Sequence, residues 1–388
     1  MKTERRKSVL LARALAVFIL AKLPAAGRGQ DAGKELARPA ESVIAAWKKA
    51  GAEFGFSREH PWGQLDFSPK YLKADPTDLA TFRPRQLDAK TVKDLPEPEV
   101  PFGIRLMGGE NNLPLKELAR FQKLHTLTLP VYRTNETTLK DLAQIKQLRR
   151  LTLSGIAVEH GGVEDLAPLK DLEWLDLTGS RLKSYKGIAK LARLRVLVLS
   201  TKNVTDADLE DLGGLKNLEA LILDNASVAD DALRQIGKLT RLRTLSLGVT
   251  KVTDAGLAEL KNLKELERLQ LRTTKVSGKG LGHLKALRWL DLGKTGADDA
   301  IAKELGQLAK LEHLYLSGTK IADAGLKHLA ALAELRDLFL EATQVSDAGL
   351  KDLARLPELR LLEIGDSQVT DTGVKEFQKV RPKVFVRK

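Results

Sequence analysis

One pattern constrains this chain more than any other: Leu-x-x-Leu-x-Leu, returning at a nearly fixed interval. Leu242-Arg-Thr-Leu245-Ser-Leu247 aligns with Leu266-Glu-Arg-Leu269-Gln-Leu271 and with Leu335-Arg-Asp-Leu338-Phe-Leu340. The middle leucine stands at 127, 151, 175, 197, 221, 245, 269, 290, 314, 338 and 362, ten intervals with a mean of 23.5 residues. Weaker copies flank it at Ile104/Leu106 and Val384/Val386, giving about 12–13 turns over residues 101–388. A period this short holds one strand and one short helix. Neither buries a core alone, so the units must stack.

The second half of each period is equally regular. Val252-Thr-Asp-Ala-Gly-Leu257 returns as Ile321-Ala-Asp-Ala-Gly-Leu326 and Val345-Ser-Asp-Ala-Gly-Leu350. Leucines then follow every third residue, as at 257, 260, 263 and 266, which describes a short helix with one apolar stripe. The aspartates at 206, 230, 254, 298, 323, 347 and 371 are expected to cap those helices by accepting from their free backbone N–H groups. Thr250, Thr274, Thr295, Thr319, Thr343 and Ser367 form a hydroxyl column, read as a ladder onto buried loop backbone. Two periods are short, 22 residues (175→197) and 21 residues (269→290).

These motifs resemble the leucine-rich repeat family, in its roughly 24-residue T-D-x-G-L form, over about three quarters of the chain. Bacterial secreted repeat proteins and the arrays of eukaryotic F-box proteins share that form. The resemblance implies an α/β fold: a right-handed solenoid or horseshoe, with a concave parallel β-sheet and short convex helices. It implies partner binding rather than catalysis.

Residues 1–29 have a different grammar. Lys2, Arg5, Arg6 and Lys7 precede a largely apolar run from Val9 to Leu23, then Pro24 and small residues. This reads as a secretory signal peptide, so the chain is expected to be exported to the periplasm, cell surface or medium. An uncleaved N-terminal anchor is the alternative. Residues 1–30 hold a net +6 of the chain's +13, which leaves +7, spread along the sequence. Residues 30–100 lack the repeat and read as an irregular cap over the first open repeat, with one helix near 42–51 started by Ser42 and with 28–40 and part of 85–100 flexible. A separate ligand module is the alternative there.

Catalytic chemistry finds little support. The chain has no cysteine, which excludes disulfides, thiol catalysis and cysteine-ligated metals. None of the six histidines forms a metal-ligand pair in sequence, and Gly-rich phosphate loops are absent. No cofactor or metal is expected, nor a transmembrane span in the mature chain. No aromatic-plus-basic groove for nucleic acid runs through the array.

Two columns remain. After each first leucine stand Arg149, Glu173, Arg195, Glu219, Arg243, Glu267, Arg288, Glu312, Arg336 and Arg360. The signs alternate through nine of these, which reads as an ion-pair ladder. The residues flanking the last two leucines face the concave side. They are small or aliphatic in the N-terminal half, as in Val196/Val198/Ser200 and Thr244/Ser246/Gly248. Then come Arg268/Gln270/Arg272, Trp289/Asp291, His313/Tyr315, Asp337/Phe339/Glu341 and Glu363. Exposed aromatics and paired charges on adjacent strands are what a binding surface needs, with Trp289, Tyr315 and Phe339 as its anchors. The expectation is a non-enzymatic, monomeric protein binding a protein, peptide or glycan there. A structural envelope spacer and an F-box-like adaptor are the other readings.

Overall fold

The computed structural model describes residues 37–59, 65–69, 78–106, 114–129, 138–158 and 161–388. The expected signal segment lies outside these residues. The described chain builds one open 16-stranded sheet, ordered β16 to β3 in sequence and ending β3-β1-β2. From β3 (Leu79–Pro84) and β4 (Phe102–Arg105) to β16 (Phe385–Arg387), every neighbouring pair is parallel. Short helices return the chain from each strand to the next, and the repeat leucines fill the space between the two layers, almost all at zero exposure. This is the leucine-rich solenoid that the period implies. The strand register follows the leucines: Leu245 pairs with Leu221 and Leu269, and Leu290 with Leu314.

The N-terminal region is more ordered than expected. Helix α1 (Glu41–Lys49) begins at Ala40, without a side-chain cap, so Ser42 sits inside it. β1 (Ala52–Glu59) pairs antiparallel with β2 (Leu65–Ser68) and β3. Helix α2 (Ala89–Asp94) occupies part of the segment expected to be flexible, with Asp88 accepting from Thr91 N–H at 2.6 Å. Trp47 is fully buried, stacked on Phe82 with centroids 4.4 Å apart, and Phe82 meets Phe102 edge-on. This aromatic wall continues into the repeats, where Phe102 meets Phe121 edge-on with centroids 5.7 Å apart. The Trp47 indole donates to Pro96 O at 3.0 Å, which satisfies the buried N–H.

The aspartate column works differently from the expectation. Asp230 accepts from Thr253 N at 2.8 Å and Thr253 Oγ1 at 2.6 Å. Asp254 holds Ser277, Asp323 holds Ser346 and Asp347 holds Thr370 in the same way. Each carboxylate therefore reaches 23 residues on and stitches two repeats together; Thr253, Ser346 and Thr370 open the next helix, whereas Ser277 lies three residues before Gly280, which precedes the turn Leu281–His283. Asp298 caps its own helix through Ala300 N; Asp299 carries the bridge, to Ala322 N at 2.8 Å. The glycine of the D-A-G-L motif follows from this geometry. A Cβ on Gly256, Gly325 or Gly349 would run into the preceding repeat's bridging Oδ1. Where the preceding repeat has Gly278 instead of aspartate, the glycine is replaced by Ile301.

The hydroxyl column, by contrast, is local. Thr250, Thr274, Thr319 and Thr343 each donate to the carbonyl three residues back, at 2.6 Å. The two short periods carry single 3-10 turns, Ile188–Lys190 and Leu281–His283, each preceded by a left-handed glycine.

Candidate functional site

The expected site residues lie on β11 (Arg268–Gln270), β12 (Trp289–Asp291), β13 (His313–Tyr315), β14 (Asp337–Phe339) and β15 (Leu361–Glu363), or just after them. The ladder puts Arg268, Trp289, His313 and Asp337 in one row and Gln270, Asp291, Tyr315, Phe339 and Glu363 in the next. All eleven thus share one face of five adjacent strands, with Arg272 and Glu341 just beyond the strand ends.

The aromatics meet as a strip, but they are not exposed. Trp289 and Tyr315 lie 5.0 Å apart, and Tyr315 stacks on Phe339 at 4.1 Å with planes 9° from parallel. Phe339 is 1% exposed and Trp289 8%; only Tyr315 is half-buried. Parallel strands stand about 4.8 Å apart, close to the thickness of a ring plus contact distance. Equivalent aromatics therefore spend their faces on each other. The same closeness buries Ser246 on the concave side, where it has no exposed surface and donates to Asp224 Oδ1 at 2.5 Å.

Polar groups surround this strip. Asp291 accepts from Gly293 N at 2.7 Å, and the Arg272 guanidinium lies over Gly293 where any side chain would collide with it. Burial pushes the Asp291 carboxyl up to about 6, against the pull of the Gly293 N–H and Arg272. Burial also raises Asp224 and lowers the Arg268 guanidinium. His313 Nδ1 meets Asp337 Oδ2 at 2.6 Å, and Ser317 donates to Glu341 at 2.8 Å. Glu363 pairs with Arg387 at 3.1 Å; burial, then the neighbouring Glu341, raise its carboxyl. The groups that remain half-exposed are Gln270, Arg272, Tyr315, Asp337 and Glu341. No group of His, Asp and Glu with metal-site geometry occurs among the described residues.

Two residues outside the expected set continue the face. Leu361, half-buried, and Phe385, 66% exposed, follow Asp337 in the first row. The column position was readable in the sequence; the step from buried to exposed at the last strand was not.

The ion-pair column forms at the strand entrances. Arg149 pairs with Glu173 at 3.1 Å, Arg195 with Glu219 at 2.8 Å and Arg243 with Glu267 at 2.7 Å. Buried Glu312 holds both Arg288 and Arg336. Exposed pairs contribute about 0–1 kcal/mol each, so the column serves mainly to register neighbouring repeats.

A family model described as leucine-rich repeat region matches residues 106–279 and 248–380. Among solved structures, the chain is similar to an internalin from Listeria monocytogenes: 19% identity, TM-score 0.54, with 81% of this chain and 91% of that one covered. It is also similar to a leucine-rich repeat protein of Leptospira interrogans: 22% identity, TM-score 0.54, with 74% and 83% covered. No curated protein matches it.

Proposed function

This chain belongs to the leucine-rich repeat family, and on that premise we propose that it is an exported, non-enzymatic scaffold holding a protein or peptide partner on the C-terminal half of its concave sheet. The observation that carries this reading is the set of half-exposed side chains Gln270, Arg272, Tyr315, Asp337 and Glu341, gathered on adjacent strands over a rigid buried aromatic base. Side chains held over a packed base lose little entropy on binding. Tyrosine and arginine are the residue types that anchor interfaces. The stacked rings point to protein rather than glycan, because a sugar packs on an open aromatic face and these faces are covered. The basic and apolar grammar of residues 1–29 supports export.

The test captures partners from envelope and extracellular fractions with the full chain, then measures affinity for variants. Gln270→Ala with Tyr315→Ala is expected to weaken binding by about 2 kcal/mol or more. Val196→Ala, on the N-terminal half of the same face, is the control. Loss with the control and not with the pair would move the site.

A further inference from the structure

The chain's excess positive charge looks dispersed in sequence, but the solenoid gathers part of it into a line. Each repeat enters its strand through an exposed two-residue turn just before the first leucine. In nine successive repeats, from Lys123 to Lys310, one basic residue occupies that turn. Lys146, Lys170, Lys216, Lys264 and Lys310 are all exposed there. Arg193 and Arg241 fill the turn in two other repeats, the first against Asp171 at 2.5 Å and the second against Asn217 at 3.2 Å. Lys285 supplies the remaining one, beside Gln307. Only Asp171 and Glu265 oppose these nine charges within the same turns. The sign then reverses: the next two turns carry Glu334 and Glu358. Neighbouring strands stand about 4.8 Å apart, so the ridge runs for at least about 38 Å along one side of the array.

We propose that this ridge docks the protein on the anionic headgroups of a lipid bilayer. Seven of its nine basic residues are lysines, compact and mobile charges that suit a diffuse anionic surface; bidentate recognition of a single phosphate would call for arginine. The turns hold no aromatic side chain, so they offer no platform for stacking bases. They hold no large apolar one either, so attachment is electrostatic and peripheral, without insertion. One charge per repeat along one side of the array lets many lysines meet an extended surface together. The concave face is left free for its own partner.

The test is co-sedimentation of the full chain with vesicles of equimolar phosphatidylglycerol and phosphatidylcholine, and with phosphatidylcholine alone. The ridge variant carries Gln at Lys146, Lys170, Lys216, Lys264 and Lys310. The control carries Gln at Lys202, Lys251, Lys275, Lys303 and Lys320, which are equally exposed but lie outside these turns. Residues 1–30 are the same in all three proteins, so differences report the array alone. Wild type is expected to bind the anionic vesicles and lose binding as salt is raised. The ridge variant should bind at least about tenfold more weakly, since each basic residue near an anionic surface counts severalfold. The control should match wild type. Equal loss in both variants would mean simple net-charge attraction and overturn the proposal. So would absence of binding by wild type, or tighter binding to heparin or duplex DNA than to vesicles.

Discussion

Gly325 tests the inter-repeat bridge directly, because one substitution should change sign with its neighbour. In an ordinary helix interior, Gly→Ala stabilises by about 1 kcal/mol. At Gly325, in the helix Asp323–Leu329, the new methyl would collide with Asp299 Oδ1, while its next contact, Ala302 Cβ, is an ordinary 3.4 Å. To make room, the carboxylate must shift and weaken its 2.8 Å hold on Ala322 N; at the Asp206 bridge, where alanine (Ala232) stands in the glycine position, Oδ1 reaches Ala229 N at 2.9 Å and also takes Ala232 N at 3.2 Å. A hydrogen bond to a charged group contributes about 1.5–3 kcal/mol. Gly325→Ala should therefore cost about 1–2 kcal/mol in the wild-type chain. With Asp299→Ala already present, the obstacle is gone, and Gly325→Ala should stabilise by about 0.5–1 kcal/mol. The coupling energy, from urea melts of the four proteins, should be about 2 kcal/mol. Independent sites add to within about 0.5 kcal/mol. An additive result would refute the idea that the motif's glycine exists to admit the preceding repeat's aspartate.

Val249, 53% exposed, has φ 58°, a left-handed conformation that a β-branched residue resists; Val249→Gly should raise stability by about 1 kcal/mol in the same melts. Leu245→Ala should cost about 2–5 kcal/mol by opening a cavity in the core. Ser246→Ala, by removing a donor to half-buried Asp224, should cost about 1 kcal/mol, and no loss would contradict that hydrogen bond. The folded-state value of Asp291 lies above its ordinary one of 3.8, at about 6, so the folded chain holds its proton more tightly. Stability should fall as pH rises from about 4 through 6, by an amount on the order of 3 kcal/mol, and Asp291→Asn should flatten that slope in thermal melts.

Much of the architecture was legible because the same information is written many times. One leucine is weak evidence, but eleven in register fix strand, helix and the direction in which each side chain points. That register placed Arg268, Trp289, His313 and Asp337 in one row, as the ladder shows. Exposure was not legible, since it depends on how closely neighbouring strands press equivalent side chains together. Phe339 and Ser246 face the concave side and are nonetheless buried by their neighbours. The direction of the aspartates was hidden as well: Asp230 has free N–H groups nearby in its own helix, yet its partner lies 23 residues on, visible only after stacking. The N-terminal strands occur once, with no second copy to amplify their alternation, so β1 and β3 passed as irregular chain.

The claim that the C-terminal half of the concave sheet is the recognition surface is tested most directly by amide hydrogen exchange on the chain, free and with its captured partner. Bound partner is expected to slow exchange in the segments 268–273, 289–294, 313–318, 337–342 and 361–366, which carry the concave side chains and the loops that follow them. The convex helices, such as Asp323–Leu329 and Asp347–Leu353, should be unchanged. Protection confined to those helices, or to the N-terminal strands around Val196 and Ala220, would contradict the account.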